Sequence, residues 1–374
     1  MNRLSISDNL IRYRHEMKIT QEELADFIGV TKASVSKWEN KQSLPDILLL
    51  PQLAAFFNVS VDELLGYEAQ LSREQIQKLY SELAADFARL PFDEVLEISR
   101  TLVRRYYSCY PFLMQICILW LNHFTLAKGE EKQKEILLLA SELCDHIRQN
   151  CKVIGMCNDA IALKAVFDLQ LGKTAEVIET LESIADPTHF SKQNDTLLIQ
   201  AYRAAGKIDK AQSYTQVTMY LQLITLVTSA IQYLTINMND RAVCEKTIQN
   251  IDGLIRLFDL DTLNPNSAAQ FFYHAAIFYM THKEKEKTLK QLDQYERAAR
   301  FLLTGDNLYL HGNSYFNRLD EWINKLELGA APPRDKRMVI ESVLQSFEYP
   351  LFAEIKDSDE FQRIIRSFKE GVVD

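Results

Sequence analysis

Apolar residues along this chain recur mostly at intervals of three and four, the spacing of a helix face, and seldom alternate as in a strand. Leu4, Ile6, Leu10, Ile11, Tyr13 and Met17 follow that rhythm and predict a first helix over residues 4–17. Thr20-Gln-Glu-Glu23 reads as a capping box, with the Thr20 hydroxyl on the amide of residue 23 and Glu23 reaching back. A second helix therefore runs from Gln21 to Ile28. Gly29 supplies a tight turn, because a residue without Cβ takes positive φ cheaply. Thr31 is a ready N-cap for a third helix, Lys32 to Glu39, and the apolar run Leu44 to Phe57 predicts a fourth. Ser60-Val-Asp-Glu63 is a second capping box and opens a short fifth helix.

Tyr67-Glu-Ala-Gln-Leu71 breaks the pattern, and Ser72-Arg-Glu-Gln75 opens a further helix toward Arg89. From there helix follows helix, with turns near Leu90-Pro91, Ser108–Pro111, Lys128-Gly129, Gly155, Gly172-Lys173, Asp186-Pro187, Gly206-Lys207 and Asn264-Pro265. Only 11 Gly and 9 Pro in 374 residues agree with long helices. The length asks for more than one domain. The expected organisation is all-α: a five-helix domain over residues 1–67, then a helical region over 68–374.

Spacing gives the first domain its meaning. Counting from Gln21, Ala25 is fifth, Gly29 ninth, Val35 fifteenth and Trp38 eighteenth. A small fifth residue lets two helices cross closely, the glycine turns the chain, and Val35 and Trp38 anchor the later helix. Its opposite face, with Lys32, Ala33, Ser36 and Lys37, stays free to enter a DNA major groove.

Ile19 to Gly66 closely resembles the Xre/Cro-type helix-turn-helix family. The resemblance rests on Thr20-Gln-Glu-Glu-Leu-Ala-Asp, Ser34-Val-Ser-Lys-Trp-Glu-Asn and Val59-Ser-Val-Asp-Glu-Leu-Leu-Gly66. It implies a DNA-binding site of Gln21, Thr31, Lys32, Ala33, Ser36, Lys37, Asn40 and Lys41. Gln21 and Asn40 would meet phosphates, and Lys32, Ala33, Ser36 and Lys37 would face base edges. Lys37 can donate to guanine O6/N7, and Ala33 can touch a thymine methyl. Lys41 stands where the family often has Gly and offers a further phosphate contact; Arg14 and Lys18 are weaker candidates. Trp38 is assigned to the core and Glu39 to local hydrogen bonding.

A net charge of −9 runs against nucleic-acid binding. Residues 1–67 carry 7 Lys/Arg and 9 Asp/Glu, a net of −2, which leaves −7 for the rest. Neither part coats DNA unspecifically, so binding must rest on a few placed cations.

Two later turns align: Leu169-Gln-Leu-Gly-Lys-Thr-Ala-Glu-Val177 and Arg203-Ala-Ala-Gly-Lys-Ile-Asp-Lys-Ala211, whose glycines lie 206 − 172 = 34 residues apart. That period resembles tetratricopeptide repeats, stacked helix pairs with a concave face. Pro187 falls where the first unit should end. Ala268–Leu303, with its turn at His282-Lys283, suggests a third unit off the period, and Tyr110–Asn150 a fourth with longer helices. The expected fold is a tetratricopeptide-like α-solenoid. Its register places Asp159, Gln170, Gln193, Gln200, Arg203 and Tyr279 on the inner face. Gln170, Gln200, Arg203 and Tyr279 are the effector-binding candidates, since amides donate and accept together along a peptide backbone. The aromatic cluster Phe271, Phe272, Tyr273, Phe278 and Tyr279 has the spacing of helix packing. The order of parts looks like the RNPP group of peptide-pheromone receptors, which implies a homodimer controlled by a short peptide. The Pro350 segment, with Ser358 as N-cap of a last amphipathic helix, reads as the closing cap of the array.

Nothing in the sequence points to an enzyme. There is no Gly-rich phosphate loop, G-x-S-x-G or H-E-x-x-H, and no cofactor or metal is expected. His274 and His282 are eight apart, two helical turns, and do not share a metal. The cysteines at 109, 117, 144, 151, 157 and 244 form no C-x2-C pair and read as reduced thiols in a cytoplasmic protein. The longest strongly apolar stretch, Pro111 to Leu121, is too short for a bilayer, which takes about 20 residues. The expected partners are a double-stranded DNA operator, a second copy and a peptide or protein effector. The alternatives are a regulator controlled by a protein partner, or an interaction scaffold that no longer binds DNA.

Overall fold

The computed structural model describes residues 6–67, 70–185, 194–305 and 308–372, and among them every regular element is helical. The chain forms two compact units, Met1–Ser72 with Leu102–Cys109, and Arg73–Thr101 with Tyr110–Asp374. Pro187 and Gln193 lie outside the described residues.

The first unit holds α1 (Ile6–Glu16), α2 (Gln21–Ile28), α3 (Lys32–Glu39), α4 (Leu50–Phe57) and α5 (Val61–Leu65). Both capping boxes form. The Thr20 hydroxyl accepts from the Glu23 amide while the Glu23 carboxylate accepts from the Thr20 amide, and Ser60 and Glu63 do the same. Gly29 closes α2 at φ 78°, in the left-handed region. The core joins Ile6 and Leu10 of α1, Leu24, Ala25 and Ile28 of α2, Val35 and Trp38 of α3, Leu53 and Phe57 of α4, and Leu64 of α5. Ala25 is 1% exposed where α2 packs on α3, as a small residue there requires.

The fourth helix is shorter than expected. Asp46 caps a single 3-10 turn at Ile47–Leu49, and α4 begins only at Leu50, with Pro51 in its first turn. Leu44, Ile47 and Leu48, expected within the fourth helix, lie before α4 and are exposed. Pro45 disfavours helical φ/ψ in the residue before it, so the apolar run could not stay in one helix. Last in this unit, the Gln70 side chain donates to Ser108 O at 3.0 Å, and the Leu71 amide donates to Cys109 Sγ at 3.4 Å.

The second unit begins with α6 (Arg73–Phe87), α7 (Phe92–Arg105, as far as Thr101), α8 (Tyr110–His123), α9 (Glu130–Asn150), α10 (Ile154–Gln170), α11 (Thr174–Ala185) and α12 (Asn194–Ala204). It continues through α13 (Ile208–Ile236), α14 (Arg241–Leu257), α15 (Leu260–Leu263), α16 (Pro265–Thr281) and α17 (Lys285–Leu303) to α18 (Leu319–Ile323), α19 (Lys336–Phe347) and α20 (Asp359–Gly371). Neighbours in sequence pack on each other, notably α8 on α9, α9 on α10, α12 on α13 and α16 on α17, giving a helical-pair solenoid.

The repeat shows best in its turns. At Gly172 (φ 75°) the Lys173 amide donates to Asp168 O and the Gly172 amide to Leu169 O. At Gly206 (φ 70°) the Lys207 amide donates to Tyr202 O and the Gly206 amide to Arg203 O, the same closure 34 residues on. A third copy occurs at Lys283 (φ 59°), where the Glu284 amide donates to Tyr279 O and the Lys283 amide to Met280 O. Here a lysine occupies the left-handed position that glycine holds elsewhere. Ser358 caps α20, whose Phe361, Ile364 and Phe368 close the core built from α13 onward.

The sequence reading of the longest apolar stretch needs correction. Helix α13 has 29 residues and is long and apolar enough, by length and composition, to cross a membrane. No charged residue occurs between Ala211 and Asn239. Its Val217, Tyr220, Val227, Ala230, Ile231 and Leu234 are buried in the core, and its open side carries Gln222, Thr225, Thr228, Ser229 and Gln232. Scattered amides and hydroxyls had masked the run.

Candidate nucleic-acid interface

Helix α3 turns Val35 and Trp38 into the core and leaves Lys32, Ala33 and Lys37 exposed, with Ser36 half-buried between them. Thr31 caps this helix, its hydroxyl accepting from the Ser34 amide at 3.2 Å. At the other end, the Asn40 amide group donates to Ser36 O at 2.9 Å, so Asn40 closes the helix it was expected to flank. Lys41 follows at φ 62°, which explains why glycine suits this place.

The cations of this face are not equally free. Lys32 Nζ lies 3.2 Å from Glu22 Oε2, and Lys41 Nζ lies 2.9 Å from Asp8 Oδ1, both solvent-exposed pairs. Lys37 pairs with no acid among the described residues. Neither Glu22 nor Asp8 stood out in the sequence, because only the fold brings Asp8 beside a residue 33 positions away.

Beneath the face lies a buried ion pair. Glu39 accepts from Arg14 Nε at 2.6 Å and Arg14 Nη2 at 3.0 Å, and from Gln21 Nε2 at 2.8 Å. Arg14 Nη1 also donates to Ile19 O at 2.9 Å. Burial alone pushes the Glu39 pKa up, but hydrogen bonds from Arg14 and Gln21 and the Arg14 charge outweigh it and hold it below the ordinary value. Hydrogen bonding to Glu39 likewise raises the Arg14 pKa. Arg14, read as a weak phosphate candidate, is therefore a structural cation with a side chain only 12% exposed. Gln21, half-buried, is oriented by the same carboxylate. The bond to Glu39 leaves its carbonyl oxygen and second N–H uncommitted.

In the second unit the effector candidates separate. Gln170 and Gln200 are exposed near the end of α10 and within α12. Arg203 lines a cavity of about 630 Å³ with Ile199, Gln212 and Arg318. Tyr279 departs from expectation: it is 8% exposed, packed on Phe278 at 5.2 Å, with Lys287 Nζ 5.0 Å from its ring centroid. It belongs to the core cluster that its spacing also predicted. A second cavity of about 660 Å³, also touching Arg318, adds Tyr202, Tyr214 and Trp322. Arg318 and Trp322 were invisible to sequence reasoning, since about 100 residues separate them from α12 and α13.

This arrangement, two capped helices around a left-handed glycine with a polar helix face outward, defines a helix-turn-helix DNA-binding protein. A family model described as Helix-turn-helix matches residues 10–64. Over 86 residues the chain is 31% identical to the cryptic phage CTXphi transcriptional repressor RstR of Vibrio cholerae, covering 21% of this chain and 77% of RstR. It is 30% identical over 84 residues to the HTH-type transcriptional activator BcrR of Enterococcus faecalis, covering 21% of this chain and 41% of that relative. The chain thus spans well under two thirds of BcrR. The chain belongs to the Xre-type helix-turn-helix family of transcriptional regulators, which are not enzymes. Among solved structures, apo ComR from S. thermophilus matches with 15% identity and a TM-score of 0.25, over 80% of this chain and 95% of that one. Apo ComR from Streptococcus vestibularis matches with 13% identity and a TM-score of 0.23, over 87% and 98%.

Proposed function

We propose that this regulator binds a specific operator as a homodimer, with α3 of each copy in a major groove. Lys32, Ala33, Ser36 and Lys37 read base edges, while Gln21, Thr31, Asn40 and Lys41 hold phosphates. One head spans too few base pairs for specificity, and paired half-sites lie about one helical turn apart. Residues 1–67 act as the head, and residues 68–374 dimerise and sense a peptide effector in the cytoplasm. The observation that carries this reading is the open face of α3, with Lys37 unpaired between Ala33 and Asn40. The effector part is supported by the adjoining cavities around Arg203 and Arg318, with aromatic and amide linings suited to a peptide. Gln170 and Gln200, both exposed, are assigned to effector contact as well, whereas Tyr279, buried in the core, is not. An effector controls the heads only by binding one arrangement of the dimer better than another.

Fluorescence anisotropy of the full chain against fragments of its own promoter, over a range of salt, tests this. Tight binding to one fragment, abolished in Lys32→Ala/Lys37→Ala, is expected. Unchanged binding in that variant, or none to any fragment with or without effector, refutes the proposed reading of bases by α3.

A further inference from the structure

Of the six cysteines, Cys109, Cys117, Cys144 and Cys244 are buried, whereas Cys151 and Cys157 are only half-buried. These two flank the turn from α9 into α10. Cys151 directly follows α9, and Cys157 stands in the first turn of α10, its amide donating to Val153 O at 3.0 Å. The Cys157 thiol donates to Cys151 O at 3.2 Å, and the two thiols are within hydrogen-bonding reach of each other. The sulfurs thus stand where rotation of the two side chains can join them.

Their surroundings differ. The Val153 amide donates to Cys151 Sγ at 3.4 Å, a contact that favours the thiolate. Burial and the neighbouring Cys151 thiol raise the pKa of Cys157, which keeps its proton. Cys117 and Cys144 also reach each other, but both are 0% exposed, so a dissolved oxidant does not meet them. We propose that Cys151 and Cys157 are a peroxide-responsive modification site that closes reversibly to a disulfide across the α9–α10 turn. The Cys151 thiolate attacks one peroxide oxygen and the O–O bond breaks. Sulfenic acid forms on Cys151, and the departing hydroxide takes a proton to become water. The Cys157 thiol then attacks that sulfur. An S–S bond forms, the S–O bond breaks, and the hydroxyl leaves as water with the Cys157 proton. Two thiols are oxidised to one disulfide, and one hydrogen peroxide is reduced to two waters.

Peptide mapping by mass spectrometry tests this on the full chain, reduced, freed of reductant and treated with stoichiometric hydrogen peroxide. Free thiols are then capped with N-ethylmaleimide in denaturant, and trypsin cuts at Lys152, between the two cysteines. The expected product is a linked pair of peptides carrying Cys151 and Cys157, separated again by dithiothreitol, with the four buried cysteines capped. In Cys157→Ser the sulfenic acid should persist on Cys151 and be captured by dimedone. In Cys151→Ser the loss of free thiol at Cys157 should slow by about tenfold or more, because that thiol stays protonated. Free thiols at both positions after peroxide, a bridge between Cys117 and Cys144 instead, linkage only between two chains, or sulfoxide at the adjoining Met156 in place of the bridge overturns the proposal. Undiminished oxidation of Cys157 in Cys151→Ser overturns it as well, since Cys151 would then not be the attacking group.

Discussion

Replacing Glu39 by Ala removes the acceptor for three hydrogen bonds, two from Arg14 at 2.6 and 3.0 Å and one from Gln21 at 2.8 Å. The carboxylate side chain is 5% exposed and the Arg14 side chain 12%, so water cannot readily take over. Removing one partner of a buried pair costs about 3–5 kcal/mol, because the other charge stays behind uncompensated. Arg14 keeps Ile19 O at 2.9 Å and some exposure, which places the loss near the lower end, about 3 kcal/mol. A unit of this size is stable by roughly 3–10 kcal/mol, so the variant should open α1–α3 extensively. Hydrogen exchange followed by mass spectrometry on the full chain reads this locally, as faster exchange over residues 6–40 and none of that change in α16 or α17. Replacing both members, Arg14→Met with Glu39→Leu, should recover most of the loss. The folded pKa of Glu39 is lowered, so its contribution is present above its unfolded value of about 4.5 and is lost as pH falls through the folded one. Wild-type protection in this unit, exchange relative to the unfolded-chain rate at the same pH, should thus fall below about pH 4.5, and Glu39→Ala should flatten that dependence. A loss under about 1 kcal/mol, or an unchanged acid response, would show that the pair does not hold the motif together.

Two other substitutions test backbone strain. Lys41→Gly relieves a lysine at φ 62° and should stabilise the first unit by about 0.5–1 kcal/mol in the same exchange assay. It should also lower the salt dependence of DNA binding by about one phosphate contact. In the repeat turns the effects should have opposite signs. Gly206→Ala, at φ 70° with nothing within 4 Å of the added Cβ, should cost about 1 kcal/mol. Lys283→Gly, at φ 59°, should gain about as much, both read by urea denaturation.

How much could be read from sequence depended on how local the cause was. Capping boxes and the left-handed glycine act within four residues, so α2, α3 and α5 were legible almost to the residue. The Leu44–Phe57 run failed because periodicity was trusted over Pro45 and Pro51. The third repeat turn falls at His282-Lys283 as expected, although Lys283 replaces the glycine that marks the other two. The Arg14–Glu39 pair and the Lys41–Asp8 contact join residues 25 and 33 positions apart, and no local signal announces them.

The acids beside the α3 face bear on how a head of net charge −2 selects its DNA. Glu22 and Asp8 occupy Lys32 and Lys41 through exposed pairs worth at most about 1 kcal/mol, small enough to yield to phosphates held in register. On random DNA, where register is poor, they compete well. They also repel the backbone at distances within a Debye length, about 8 Å at physiological salt. Neutralising both, in Asp8→Asn/Glu22→Gln, should therefore raise affinity for random DNA by about tenfold at low salt and gain less on the operator. The ratio of operator to random affinity would then fall, measured by competition anisotropy at two salt concentrations. An unchanged ratio would mean that the acids only solvate the surface, and that specificity comes wholly from the base contacts of α3.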